Sequence, residues 1–247
     1  MKTLTSLQKY FLLPSALCFG LTVQAQLLNE TFDSAAGFTI ADQNGAAPFF
    51  SDGSSDYFGI YDGDGDGGAN FGTATTNPSG VESYTSESDN YIVGEDIDGD
   101  GATDPFILTW SSINLSGETS LKISADFAST RIDSNDYIKV FYRLDGGSWV
   151  GVIGIAGASG TYNLPPYEIT DFGAGTGDNT ATQVTGAFTN LSKTITLAGT
   201  EGTIELKAEF VTGDKTDNIA MDNLVVEVPS APDPAITLSA TPATVDE

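Results

Sequence analysis

The 247-residue chain contains no histidine and only one cysteine, Cys18. The lack of histidine excludes Ser-His-Asp and Cys-His catalysis and most zinc and iron sites. Because Cys18 lies in an apolar N-terminal segment, the rest of the chain has no disulfide and no thiolate ligand. A protein of this kind outside the cell depends for stability on a sizeable core, on bound metal, or on both.

Basic residues are also scarce. The chain has 9 Lys and Arg residues against 34 Asp and Glu residues, and its formal net charge is −25. A surface of this charge is unsuited to direct binding of nucleic-acid phosphates, which require basic residues. It is equally unsuited to anionic membranes. The composition therefore favours partners that carry positive charge, above all cations.

Residues 1–25 have the pattern of a secretory signal peptide. Two lysines precede an apolar run over residues 10–23, and Val23-Gln24-Ala25 matches the small-x-small cleavage pattern. Cleavage after Ala25 would leave a mature chain of formal charge −27, because the leader carries Lys2 and Lys9 and no acidic residue. We therefore expect a secreted or cell-surface protein whose mature chain does not insert into a membrane.

Two other interpretations of the leader remain open. An uncleaved membrane anchor would need a longer apolar run than this one, which Pro14 interrupts. Lipidation at Cys18 would need a small residue just before it, and Leu17 is bulky.

The remainder of the chain alternates apolar and polar residues, as β-strands do. The clearest alternation covers residues 120–127, 136–144, 149–153, 203–210 and 218–228. Asp145-Gly146-Gly147 predicts a tight hairpin, and Gly, Asn, Asp and Ser clusters separate the strands. No segment has a 3.6-residue apolar period. The pattern predicts one all-β domain over residues 26–228, an antiparallel jelly-roll-like β-sandwich.

The composition changes again after residue 228. Residues 229–234 are rich in proline and predict an extended linker. Residues 235–247 resume the alternation of a strand, which predicts the start of a further immunoglobulin-like or Calx-β-like module in a larger multidomain protein. A disordered tail is the alternative.

Two acidic loops each match the first half of an EF-hand loop, with carboxylates at positions 1, 3 and 5 and glycine at position 6. The candidate ligands are Asp62, Asp64 and Asp66 in the first loop, and Asp96, Asp98, Asp100 and Asp104 in the second. Position 12 is Thr73 or Ile107 instead of the usual glutamate, so neither loop is a complete EF-hand. Calcium binding is the functional interpretation, and solvated Asp-Gly turns are the alternative.

The two ends of residues 26–228 carry short motifs, Asn29-Glu30-Thr31-Phe32-Asp33 and Ile219-Ala220-Met221-Asp222-Asn223-Leu224. In these motifs the chain resembles jelly-roll modules of secreted bacterial proteins, including carbohydrate-binding modules and the MAM-like modules of adhesins. The resemblance implies that the two end strands pair. It also implies that Glu30 and Asp222 bind a structural calcium, together with Asp217 or Asp33.

A second resemblance covers roughly residues 27–228 and rests on the segments 49–60, 107–117 and 136–147. These segments are similar to an ancillary β-sandwich module of large secreted bacterial proteins, some of which also carry lamin-tail-like or nuclease domains. The resemblance implies an ancillary module and implies no nuclease activity in this chain.

Several aromatic residues are candidates for stacking against sugar rings. Trp149 follows the predicted hairpin turn, and Tyr57 and Tyr61 lie in sequence that is typical of loops. Packing is the alternative role for such amphipathic rings, and Trp110 is expected in the core.

These observations predict a secreted, calcium-stabilised, non-catalytic module that binds carbohydrate or another extracellular surface component. We expect no enzyme, because the densest carboxylates lie in loops that suit a metal better than acid–base catalysis. The alternatives are a structural or adhesin spacer without a small-molecule site, and an accessory domain of a secreted nuclease.

Overall fold

A computed structural model describes residues 25–41, 49–51, 56–61, 84, 90–98, 103–158 and 164–229. Within these residues all regular structure is β-strand, and the strands form two antiparallel sheets that pack face to face. The predicted all-β sandwich is therefore confirmed. No helix in the described part of the chain is long and apolar enough to cross a membrane.

The strands are numbered in chain order. They are β1 (Gln26–Glu30), β2 (Phe38–Ala41), β3 (Phe50–Ser51), β4 (Tyr57–Tyr61), β5 (Tyr91–Glu95), β6 (Phe106–Trp110), β7 (Ile113–Asn114), β8 (Ser120–Arg131), β9 (Tyr137–Leu144), β10 (Val150–Ala156), β11 (Tyr167–Glu168), β12 (Thr189–Thr196), β13 (Thr203–Val211) and β14 (Asn218–Glu227). Sheet A has the order β12-β8-β14-β5-β4-β3, with β1 paired to β14. Sheet B has the order β11-β10-β9-β13-β6-β2, with β7 paired to β13.

The core lies between the sheets and follows the alternation of the sequence. In β8 the predicted inward face is confirmed, since Leu121, Ile123, Ala125 and Phe127 are all fully buried. Phe58 of sheet A packs against two rings of sheet B, with centroids 4.6 Å from Phe106 and 5.3 Å from Phe210. Trp110 is also buried, as expected. Burial of this kind is the main favourable term in folding.

The predicted hairpin joins β9 to β10. Asp145 and Gly146 both have positive φ, 48° and 71°, which is the combination that a two-residue type I′ turn requires. The N–H of Gly147 closes the turn by donating to the carbonyl of Leu144 at 2.8 Å.

The first and last strands are neighbours, as the jelly-roll resemblance implied. β1 lies antiparallel to β14, with Gln26 opposite Glu227 and Glu30 opposite Leu224. Residues 1–24 of the predicted leader (1–25), and residues 230–247 of the predicted linker and module start (229–247), lie outside the described residues.

Candidate functional site

The strand register brings several acidic loops to one end of the sandwich. Asn218, which begins β14, is paired with Glu95 at the end of β5 and with Arg131 at the end of β8. In sheet B, the end of β13 is paired with the beginnings of β9 and β6. The segments that follow β5, β8 and β13 and the one that precedes β6 therefore meet, although they are far apart in sequence. We call this the acidic end.

Two turns at the acidic end share one pattern, aspartate at the first and fourth positions. In the turn between β8 and β9, the N–H of Asp136 donates to the carbonyl of Asp133 at 3.1 Å. In the turn between β13 and β14, the N–H of Asp217 donates to the carbonyl of Asp214 at 2.8 Å. Each turn thus places its second aspartate immediately before a strand, Asp136 before β9 and Asp217 before β14.

Both of these second aspartates are buried, with Asp136 4 % and Asp217 1 % exposed. The carboxylate of Asp136 accepts a hydrogen bond of 2.8 Å from the N–H of Asp133. Neither carboxylate oxygen of Asp217 has a hydrogen-bond donor among the described residues. The group that faces Asp217 is the carboxyl of Asp136, and two carboxyls can share a hydrogen bond only when one of them holds a proton.

The electrostatics of the pair reflect this arrangement. Burial, and after it the neighbouring carboxyl of Asp136, raise the pKa of Asp217 to about 8. Burial also raises the pKa of Asp136, although the backbone N–H groups of Asp133 and Gly213 oppose the shift. The contribution of Asp136 to the raised pKa of Asp217 reflects the cost of placing two negative charges side by side.

A cavity of about 250 Å³ lies beside the pair. Its wall consists of residues from three chain segments: Asp104, Asp133, Asn135, Asp136, Val211, Gly213, Asp214 and Asp217. Burial raises the pKa of Asp104 as well, with a smaller contribution from Asp98. No group of three or more Asp, Glu, His or Cys side chains in the described residues is already arranged as a complete metal site. A cation here would therefore need backbone carbonyls or water among its ligands, as calcium commonly does.

The second acidic loop of the sequence lies at the same end. Asp96 follows β5 and has a φ of 45°, a left-handed conformation that aspartate tolerates. Burial raises the pKa of Asp96 to about 7, with further contributions from Asp98 and Asp56. The N–H of Ile97 donates to the carbonyl of Thr212 at 3.1 Å, which attaches the loop to the segment after β13.

Of the candidate ligands in the two half-EF-hand loops, Asp96, Asp98 and Asp104 are described by the structure and lie at the acidic end. Asp62, Asp64, Asp66 and Asp100 lie outside the described residues.

Glu30 has partners of its own. One carboxylate oxygen accepts a hydrogen bond of 3.1 Å from the indole N–H of Trp110, and the other accepts one of 3.0 Å from the N–H of Phe32. The side chain is buried, with 7 % exposure, and lies against Gly37. The bond from Trp110 therefore links β1 to β6, and the bond from Phe32 fixes the segment that follows β1.

Asp222 lies opposite Asp126 of β8, in the middle of sheet A. One of its oxygens accepts a hydrogen bond of 3.0 Å from the side-chain amide of Asn223, which also donates to Asp126 at 3.0 Å. The strands of Glu30 and Asp222 are adjacent, but the two carboxylates have different partners. Their sharing of one calcium stays a prediction.

A strip of rings and cations lies on the outer face of sheet B. Alternate residues of β9, namely Tyr137, Lys139, Phe141 and Arg143, point away from the core, whereas Ile138 and Val140 are fully buried. The Lys139 ammonium lies 3.7 Å from the centre of the Tyr137 ring. We call this row, with its neighbours Lys207 and Trp149, the ring–cation strip.

Trp149 lies at one end of the strip and is half-buried. The guanidinium of Arg143 is 4.6 Å from its ring centre and the ammonium of Lys207 is 5.0 Å away, which are cation–π contacts. Two of these cations also form ion pairs, Arg143 with Glu205 and Lys207 with Glu209. Of the nine basic residues in the chain, three lie on this strip.

Tyr57 and Tyr61 are placed in β4 and not in a loop. They are 1 % and 7 % exposed and pack in a small cluster on the outer face of sheet A with Tyr84, Tyr91 and others. Their rings are therefore covered by other side chains and do not face solvent.

Sequence reasoning missed three residues of the acidic end, Asp133, Asp136 and Asp214. The signal that marks them is the repeated spacing Asp-x-x-Asp directly before a predicted strand, in DSNDY and DKTDN. One occurrence indicates only a turn. The convergence of the two turns depends on strand register, which the spacing does not show.

No family model and no curated protein sequence matches this chain. Solved structures with a similar fold include the CBM22-1–GH10 modules of Clostridium thermocellum xylanase 10B with xylohexaose, at 10 % identity and a TM-score of 0.43. That match covers 89 % of this chain and 30 % of the xylanase chain. The K3 cleaved adhesin domain of Lys-gingipain from Porphyromonas gingivalis matches at 15 % identity and a TM-score of 0.36, covering 83 % and 99 % of the two chains. An apo cyclase from Fischerella matches at 10 % identity and a TM-score of 0.43, covering 85 % and 90 %.

The protein is thus a two-sheet antiparallel β-sandwich with an acidic cavity at one end and a ring–cation strip on one outer face. At such low identities and TM-scores, what this chain binds has to be argued from its own residues.

Proposed function

We propose that the chain is a secreted, calcium-stabilised, non-catalytic module that binds a glycan or another component of an extracellular surface. The observation that carries the binding role is the ring–cation strip, where Trp149 is flanked by Arg143 and Lys207. On a chain of net charge −25, this row brings together three of the nine basic residues and several aromatic rings. Aromatic residues and arginine are residue types that binding surfaces favour, and those of the strip are partly accessible to solvent.

The chemistry of the strip fits a polysaccharide. Aromatic faces pack against the C–H faces of sugar rings, while arginine and lysine donate hydrogen bonds to hydroxyl or carboxylate oxygens. The outward residues of β9 extend from Tyr137 to Arg143. At about 3.4 Å per residue this distance is about 20 Å, the length of a short oligosaccharide.

A second candidate, a spacer without a small-molecule site, is favoured by the pairing of the cations. Glu205 and Glu209 neutralise Arg143 and Lys207, and both cations cover aromatic faces. A solvent-facing sheet surface can be built in this way for solubility alone. Binding measurements separate the two candidates.

The acidic pair of Asp136 and Asp217 deserves comparison with an acid–base dyad, since both kinds of site raise a carboxyl pKa. Three further aspartates line the same cavity. Additional negative charge around a dyad disfavours its ionised form but provides ligands for a cation. A metal-stabilised role therefore fits the cavity better than catalysis.

The experiment is affinity electrophoresis of the full chain through gels that contain a panel of neutral and acidic polysaccharides. We expect at least one polysaccharide to retard the wild type, and Trp149→Ala to lose that retardation with a decrease in affinity of more than about tenfold. Val150→Ala is the control, because Val150 is adjacent and 47 % exposed but makes none of the ring–cation contacts. If no polysaccharide retards the wild type, or if Trp149→Ala behaves as the wild type does, the spacer is the better description.

A further inference from the structure

The acidic end contains a buried carboxyl group that has no hydrogen-bond donor among the described residues. Asp217 is 1 % exposed, it lines the cavity, and both of its carboxylate oxygens lack a hydrogen-bond donor in the described part of the chain. The ion pairs between described residues are Lys122–Glu227, Arg143–Glu205 and Lys207–Glu209, and none of them includes Asp217 or Asp136. Buried carboxylates are normally hydrogen-bonded or paired, so this one requires an explanation.

The position of Asp136 makes the requirement stronger. Its carboxyl is fixed by the N–H of Asp133 at 2.8 Å, and it faces Asp217 from the neighbouring sheet's turn. Asp217 is in turn fixed by its own N–H bond to Asp214. The two turns therefore hold two acceptors against each other, and only a proton or a cation between them relieves the repulsion.

The surroundings favour a cation over a proton. Further carboxyls of Asp104, Asp133 and Asp214 line the same cavity, whose volume of about 250 Å³ leaves room for an ion with bound water. A proton needs no such excess of oxygen atoms, whereas calcium takes six to eight oxygen ligands, about 2.3–2.6 Å away, from carboxylates, carbonyls and water. The chain has no histidine, and the cavity wall has no sulfur ligand, so the site has no ligand that would favour a softer metal over calcium.

We propose that the cavity between the two Asp-x-x-Asp turns binds a calcium ion, with Asp136 and Asp217 as direct ligands. The other oxygen ligands come from the cavity wall, directly or through water. This site rests on the calcium part of the proposed function, but it differs from the half-EF-hand loops and from Glu30 and Asp222.

The site has a structural consequence. Asp217 immediately precedes β14 of sheet A, and Asp136 immediately precedes β9 of sheet B. An ion held by both would cross-link the two sheets at one end of the sandwich, where no disulfide is available. Because it binds the folded form only, it would raise the free energy of unfolding with the logarithm of the calcium concentration once that concentration exceeds the dissociation constant.

The test compares the full-length wild type with Asp217→Asn, which preserves shape and removes one charge. Calcium alone is titrated by calorimetry, and thermal midpoints are measured with calcium and with excess chelator. We expect Asp217→Asn to bind one calcium fewer, or to bind it at this site at least about tenfold more weakly. In chelator the variant should melt no lower than the wild type, because the like-charge contact is gone. Asp171→Asn, at an exposed loop position, is the matched control and should leave both measurements unchanged.

A second measurement tests the calcium site even if Asp217→Asn does not fold. Tyr137 follows Asp136 directly and is paired with Val211, and both of these neighbours line the cavity. Tyrosine excitation should sensitise the luminescence of terbium bound in the cavity, and Tyr137→Phe should lower this luminescence. Excess calcium should displace the terbium.

The proposal is overturned if Asp217→Asn keeps the wild-type calcium stoichiometry and thermal response, or if Tyr137→Phe leaves the terbium signal unchanged. Either result would mean that a shared proton, and not a calcium ion, relieves the repulsion between the two carboxyl groups. Neither result would bear on glycan binding, which the Trp149 variants test separately.

Discussion

Replacing Glu30 should destabilise the protein by the same amount with and without calcium. The carboxylate accepts hydrogen bonds from the indole N–H of Trp110 and from the N–H of Phe32, and both donors belong to buried residues. Glu30→Ala removes the acceptor of both donors and leaves a space beside Gly37. An unpaired buried donor costs about 1–3 kcal/mol, so we expect a loss of about 3–5 kcal/mol in the free energy of unfolding.

Glu30→Gln provides the finer comparison. The amide oxygen can accept from one of the donors, but its NH₂ group meets the other donor and the charge is lost. We expect a smaller loss, about 1–2 kcal/mol. Half-buried Glu118, in the turn before β8, is the control, and Glu118→Gln should change stability by less than about 0.5 kcal/mol.

The assay is urea denaturation, repeated in calcium and in excess chelator. If Glu30→Gln loses stability only when calcium is present, Glu30 is a calcium ligand, as the jelly-roll resemblance implied, and the structural role derived from Trp110 and Phe32 is refuted.

Two further predictions concern the acidic end. In chelator, the thermal midpoint should fall as the pH rises from about 5 to about 9, because the pKa values of Asp217 and Asp96 are raised to about 8 and about 7 from 3.8. A raised carboxyl pKa contributes stability that is complete below the pKa of the unfolded state and is lost as the pH rises through the pKa of the folded state. In calorimetry, the thermal midpoint of Asp217→Asn should therefore depend less on pH than that of the wild type. A wild-type midpoint that does not change with pH would contradict the raised pKa values. Gly157→Ala should lower both stability and calcium affinity, because a Cβ there would collide with the backbone of Asp133 and Ser134 and displace the turn. Denaturation and calcium titration measure the two effects, and unchanged calcium affinity would show that this turn does not hold the ion.

Much of the fold could be predicted from the sequence because the long strands alternate over much of their length. β13 alternates throughout, and β8, β9 and β14 alternate over part of their length. The Asp145-Gly146 turn could be predicted for the same local reason, since both residues tolerate positive φ. The alternation and the turn each depend on residues that are close together in the sequence, so both can be recognised from one sequence.

Features that depend on distant contacts could not be predicted in this way. Tyr57 and Tyr61 resemble loop residues in sequence, but sheet A is covered on its outer face by Tyr84 and Phe188, so that β4 is buried on both faces. This is why the strand has no alternation of polar residues.

The acidic end shows the same limit. Asp217 and Asp104 were predicted as metal ligands on other grounds, whereas Asp133, Asp136 and Asp214 were not predicted. Their meeting follows from the pairing of Asn218 with both Glu95 and Arg131, and of Val211 with Tyr137. Strand register brings three separate chain segments together around one cavity, and register is a property of the whole sheet.

The most direct test of the calcium site is a crystal structure of the full chain grown in saturating calcium, with anomalous scattering data to locate the ion. We expect an anomalous peak between Asp136 and Asp217, with oxygen atoms of both carboxylates about 2.3–2.6 Å from it. Well-ordered density for both side chains with no such peak would contradict it, whatever other calcium ions the crystal contains.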